Sequence, residues 1–195
     1  VVLFTPLSRI GSEIARHRDG HRFEKLATTP LTRGEWLLAH TLVNVGVIGV
    51  ASLLVFGLVT LVTGADIPVS ADLLLLVPFV ALAVVLFCGV GAVLGRVSDS
   101  QDGVIAASNS VALPLLFLSD TFVSPDLLPA WFLPAVNISP LTYFSRGVRA
   151  VTFAAPDGGG LAGLGAPENL AILGALAVVA FALGAAAQHR AVIRV

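Results

Sequence analysis

A chain of 195 residues with 56% hydrophobic and only 12% charged side chains, and a mean hydropathy of +0.95, carries about half the charge of a soluble domain. That composition excludes an ordinary soluble domain and, with no basic patch, a nucleic-acid binder, and it predicts an integral membrane protein. The net charge of −1 decides little, because the charges are segregated along the chain.

The chain opens Val-Val-Leu-Phe, without an initiator Met and without a charged segment ahead of a small-residue cleavage site, so no signal peptide is expected. Residues 1–10 are apolar at their start but too few to cross a bilayer, which takes roughly 20 apolar residues as helix. They are expected to end a span that begins upstream. Residues 11–36 form a charged island, within which Gly20 and Pro30 bracket a short predicted helix over 21–29. Thr32 and Glu35 then make a T-x-x-E capping box, and Trp36 suits the membrane interface.

The first complete span is predicted over 37–63, and a turn containing Asp66 and Pro68 follows. A second span, 72–95, is capped by Ser70, carries Pro78 near its start and holds a GxxxG pair, Gly91 and Gly95. Such a pair lets two helix backbones approach closely in lipid, either between two copies of the chain or within one. Cys88 is the only cysteine, so there is no disulfide framework, and inside an apolar run it reads as a small packed hydrophobe. After a polar turn from Arg96 to Asp102, a short third span occupies 103–119 and is interrupted by Asn109 and Pro114. An interrupted helix suits either a pathway lining or a kink whose freed backbone groups are satisfied by neighbours.

Residues 120–166 make a long connection. Ser124-Pro125 and Ser139-Pro140 each place a capping Ser before a Pro at the first helical position. The pieces they open, with Phe122, Trp131, Phe132, Leu141, Tyr143 and Phe144, are too short to span and fit re-entrant or interfacial helices. Arg146 and Arg149 lie three apart on one helical face, and the cost of a cation in hydrocarbon places them at headgroup level or in a wet cavity. The last span is 167–188, and 189–195 form a tail. The fold class that follows is an all-α polytopic membrane bundle, with four complete spans, the end of a preceding one, and short helices before the last.

Nine of the eleven Lys and Arg residues fall on one side of that arrangement, and only Arg146 and Arg149 fall on the other. The positive-inside rule makes the island, the Arg96 turn and the C-terminus cytoplasmic, and the long connection extracellular.

No chemistry of its own is expected of the chain. Lys25, the only lysine, follows Glu24 and not Gly, so no phosphate loop of the G-x-x-x-x-G-K-[ST] kind exists. His17 and His21 are four apart, but Gly20 lies between them and Arg16, Arg18 and Arg22 surround them, which opposes a bound cation. The spans hold no ionisable pair that could activate a nucleophile. No metal and no bound cofactor are therefore expected.

Phe23 and Leu26, three apart, give the island helix an apolar edge between charged neighbours. Such a helix suits docking into a groove of another protein, and it equally suits lying on the bilayer surface with its cations near lipid phosphates. The residues around it resemble the cytoplasmic segment of ABC-2 type exporter permeases: a charged run, then Phe23, Glu24, Lys25, Leu26 and shortly Thr29-Pro30. A second block is similar to that family's last extracellular connection: Pro114 to Ser119, Phe122, Pro125, Pro129, Trp131, Asn137, Pro140, Tyr143 and Arg149. The chain departs at His17, where many members carry an acidic residue, and at His21-Arg22, where many carry Gly-Thr.

The resemblance implies a permease that dimerises with a second copy or a paralogue and exports a drug, lipid, glycan or similar substrate. It implies docking of separate ABC ATPase subunits, with their ATP and magnesium, on a coupling helix built from Phe23, Glu24, Lys25, Leu26, Thr29 and Pro30. It also implies a multi-pass place in the cell membrane, and a first span and most of a second upstream of Val1. The alternative function is a non-transporting membrane scaffold or accessory subunit that uses the island as a lipid-facing anchor.

Overall fold

The computed structural model describes residues 2–19, 33–64, 71–119, 121, 133–152 and 164–189. Those residues form seven α-helices: α1 (Phe4–Asp19), α2 (Arg33–Thr63), α3 (Leu76–Val97), α4 (Gln101–Leu118), α5 (Leu133–Val136), α6 (Pro140–Thr152) and α7 (Ala166–His189). No strand occurs among the described residues. Four stretches are long and apolar enough to cross a bilayer: Gly34–Thr63, Asp72–Val97, Gln101–Leu118 and Ala166–Gln188. The protein is an all-α polytopic membrane bundle.

The helix ends follow local chemistry. α1 runs well past the boundary expected at residue 10, because Leu7, Ile10, Ile14 and Ala15 continue a buried stripe at the three- and four-residue spacing of one helix face. α2 begins at Arg33 with Glu35 in its first turn. Thr32, the other half of the expected capping box, lies outside the described residues, as does Ser70. Gly64, with φ of 61°, ends α2 in the left-handed conformation that glycine adopts without steric penalty, and its N–H donates to the Thr60 carbonyl. A 3-10 turn over Ala71–Leu75 leads into α3. Pro78 sits in the first α-helical turn, where its ring crowds the carbonyl four residues back and favours the tighter winding before it. α4 starts at Gln101, earlier than the expected 103. The Ser100 hydroxyl accepts from the Gly103 N–H at 3.0 Å, and Asp102 lies in the first turn, where a negative charge meets the helix dipole favourably.

α3 is the centre of the bundle and touches α1, α2, α4, α6 and α7. Half of its most apolar stretch is buried, against 6% for α2 and 17% for α4 and α7. The outer helices therefore turn apolar faces outward, as lipid requires. α2, at 31 residues, is about 46 Å long, which exceeds the roughly 30 Å hydrocarbon core and carries its first turns beyond it.

Close backbone contact sets the helix directions. Gly91 lies against the Leu7 carbonyl, and a Cβ at Gly95 would come within 2.6 Å of the Gly11 carbonyl oxygen. The contacts advance together along both helices, so α1 runs parallel to α3. On the other side of α3, Gly89 meets the Ala180 backbone, Gly184 meets Gly89, and Gln188 Nε2 donates to the Ala92 carbonyl at 3.1 Å. α7 is therefore parallel to α3 as well. α2 runs the opposite way, with Leu37 in the cluster of Ile14 and Ala92, and Ser52 and Phe56 beside Leu76 and Val80. The end of α1, the start of α2, the end of α3, the start of α4 and the end of α7 meet at one end of the bundle.

Of the two roles open to the Gly91 and Gly95 pair, packing within the chain is the one that occupies it: their face is filled by α1. A substitution such as Gly95→Val is expected to force the helices apart and cost about 1–3 kcal/mol by overpacking. Gly46→Ala, where a Cβ meets nothing within 4 Å, should be neutral or stabilising by up to about 1 kcal/mol. Thermal unfolding of the two variants in detergent micelles compares them directly.

Candidate functional site

Two places hold the residues singled out by the sequence. The first is the charged island, whose Phe23, Glu24, Lys25, Leu26, Thr29 and Pro30 all lie outside the described residues. Its two stems are described. α1 delivers the chain to that end of the bundle locked to α3, and α2 leaves it with Leu37 fully buried and Trp36 against the His40 ring, centroids 4.3 Å apart. On the α1 stem, Arg16 pairs with Glu13 at 3.5 Å. This pair is at the surface and contributes little to stability.

The second place is the corner formed by α5 and α6 at the opposite end. Pro129 and Trp131 lie outside the described residues, whereas Asn137 and Arg146 come together and Pro140 faces α3 and α7. Pro140 borders the same groove as Leu86, near the middle of the span, while Gly147 presses directly on the Phe79 ring near the start of α3. α6 therefore starts inside the span and runs outward, which makes the corner re-entrant. Non-helical backbone at that depth must find protein partners, and here it does. The Ser139 N–H donates to the Val136 carbonyl and the Thr142 N–H to the Ser139 carbonyl. Thr142 Oγ1 donates to the Val136 carbonyl at 2.7 Å, and Tyr143 Oη to the Asn137 carbonyl at 2.9 Å.

Arg146 and Arg149 differ although they are three apart. Arg146 is 8% exposed and donates from Nη1 to Asn137 Oδ1 at 3.0 Å, whereas Arg149 is exposed. Ser139 holds the N-cap position its sequence predicts, but its hydroxyl points across the bundle and donates to the Leu115 carbonyl of α4 at 2.9 Å.

Sequence reasoning missed several polar anchors. Thr41 and Asn44 are buried on α2, with Asn44 Nδ2 donating to the His40 carbonyl at 2.8 Å and the wholly buried Cys88 beside Thr41. At the start of α7, Asn169 Nδ2 donates to the Gly165 carbonyl at 2.9 Å, and the Glu168 carboxylate accepts from the Gly165 N–H. The signal for these was a lone polar residue in an apolar run, which gives no partner. Among the described residues no group of three His, Cys, Asp or Glu side chains is placed to hold a metal ion.

Four spanning helices, the central one packed through glycines, and a polar-anchored corner define a polytopic α-helical membrane protein. The family profile for the ABC-2 type transporter matches residues 1–153. That is most of the chain, which therefore belongs to the ABC-2 type transporter family and is a permease component of an ABC transporter. Membership implies an ABC ATPase partner and a membrane setting. Among curated proteins, none matches the chain.

Asn137→Ala should remove an acceptor from the Arg146 guanidinium and, because Asn137 is exposed, cost about 0.5–1.5 kcal/mol. Arg149→Ala, at an exposed position, should change stability by under about 0.5 kcal/mol. Gly147→Ala should destabilise through the Phe79 ring, and a second substitution, Phe79→Leu, should recover part of the loss. Melting temperatures of the four purified variants in one detergent test the set.

Proposed function

We propose that this permease component works in an exporter, as a dimer with a second copy or a paralogue. In this reading it is driven by separate ABC ATPase subunits that bind ATP and magnesium and dock on the coupling segment, residues 11–36, through its predicted helix over 21–29. Phe23 and Leu26 fill a groove on the ATPase, Glu24 and Lys25 set the register, and Thr29-Pro30 end the helix. The observation that carries this reading is the backbone lock between α1 and α3 at Gly91 and Gly95. A push on the segment that follows α1 reaches the central helix with no flexible joint of side chains between them. The chain itself performs no catalysis in this scheme.

The positive-inside count favours a cytoplasmic island and C-terminus in a multi-pass cell-membrane protein, with the corner extracellular. Arg9, Arg16 and Arg96 lie toward the island end of the bundle and Arg149 toward the other, which agrees with that count. Asn109 and Ser110, mid-span on the exposed side of α4, support a wet pathway or a partner copy along that helix, since polar side chains facing lipid are costly.

Phe23→Asp combined with Leu26→Asp should abolish co-purification of the ATPase while leaving the melting temperature of the permease within a few degrees. Retention of the ATPase by the double variant would refute the docking assignment. Arg149→Cys should react with a membrane-impermeant thiol reagent added to intact cells, whereas labelling only after lysis would invert the topology.

A further inference from the structure

α4 is weakened in its middle and tied at both ends to different parts of the bundle. Pro114 has no N–H to give the Ser110 carbonyl, and its ring crowds that carbonyl. The Ser110 hydroxyl meanwhile bonds back to the Ala106 carbonyl at 2.9 Å, a pattern that bends helices. Kinks in helices arise at such places.

On the inner side of this turn, α4 rides on α1. Val104 is fully buried, and a Cβ on Gly11 would come 2.5 Å from its Cγ1. Gln101 Nε2 reaches the Ser12 carbonyl at 3.5 Å. On the outer side, α4 belongs to the corner. Leu115 and Leu116 pack against the core cluster that joins Leu141 of α6 to Phe79 of α3, to Leu3 and to Leu7 of α1, and Ser139 Oγ donates to the Leu115 carbonyl. That carbonyl also accepts from the Ser119 N–H at the end of the helix, at 3.1 Å, and a carbonyl oxygen has two lone pairs, so the tie adds to the helix bond and does not replace it.

We propose that α4 is a two-part strap hinged between Ser110 and Pro114, whose inner half moves with α1 and whose outer half moves with the re-entrant corner, with Ser139 as the positioning residue that holds the outer half. The strap carries displacement of α1 to the α5–α6 corner. The hinge stands on the geometry alone, whereas its use during the transport cycle rests on the ATPase-driven reading above.

Distances between spin labels in the full chain, reconstituted in nanodiscs, test it. Phe117, Ile138 and Ile105 are all exposed, so Phe117→Cys with Ile138→Cys reports the outer tie and Ile105→Cys with Ile138→Cys reports across the hinge. At rest, the first pair should give a narrow distribution and the second a broad one. Pro114→Ala, which restores a helix bond and does not threaten folding, should narrow the second and leave the first unchanged. Ser139→Ala should broaden the first, and Ser139→Thr should restore it. A distribution across the hinge as narrow as that of the outer pair, and unmoved by Pro114→Ala, would overturn the hinge. An outer pair indifferent to Ser139→Ala would overturn the tie. With the ATPase and a non-hydrolysable ATP analogue added, only the distance across the hinge should shift. A hinge that is present at rest but still under nucleotide would overturn the strap's role in transmission, leaving the resting hinge as measured.

Discussion

The fold depends on how closely the α3 backbone can approach its neighbours. In lipid there is no gain from hiding apolar surface between helices, because hydrocarbon surrounds them in any case, and association rests on dispersion contacts and on hydrogen bonds. Both grow as helix axes come together. α3 supplies glycines on two faces, Gly91 and Gly95 toward α1 and Gly89 toward α7, and the partners answer with Gly11 and Gly184. The Gln188 bond to the Ala92 carbonyl becomes possible only at that separation. α2, which has no glycine in close contact with a neighbour, is correspondingly the most lipid-exposed of the four spanning helices.

Satisfaction of polar backbone is the second constraint, and it shapes the opposite end. A chain that turns inside the membrane must pair its own donors and acceptors or expose them to hydrocarbon at several kcal/mol each. Residues 136–143 meet the demand with their own hydroxyls and carbonyls, and the exposed Asn137 accepts from the buried Arg146 in the same corner. The corner is thereby a defined body, wedged onto α3 through Gly147 and Phe79. The corner therefore touches the glycine-locked assembly directly, through α3 and α7, and α4 adds a third connection between α1 and the corner.

Much of the fold was legible in the sequence. Spans of apolar residues long enough to cross a bilayer can be little else, so their number and approximate positions follow from composition and length. Helix ends moved where a cap or a continuing stripe outweighed the compositional break, as at Ser100 and along Ile10, Ile14 and Ala15. The candidate site was legible in part. Gly91 and Gly95 announced a close approach, but nothing local told whether the partner was α1 or another copy. Ser139 announced a helix start, but its hydroxyl's acceptor lies 24 residues away. Arg146 and Arg149 looked equivalent, and only the fold buries one and exposes the other.

By itself, then, the sequence determined a membrane protein with several apolar stretches long enough to span, a charged segment set apart from them, and a family pattern carried by local runs of residues. Those properties depend on length, period and neighbours in the chain, which a linear reading contains. The tertiary structure alone decided which helices run parallel, what fills the α3 glycine face, how the corner is anchored and where α4 is divided. Each of these depends on contacts between groups far apart in the chain, set by an arrangement that combines close backbone packing with the hydrogen bonds of the corner.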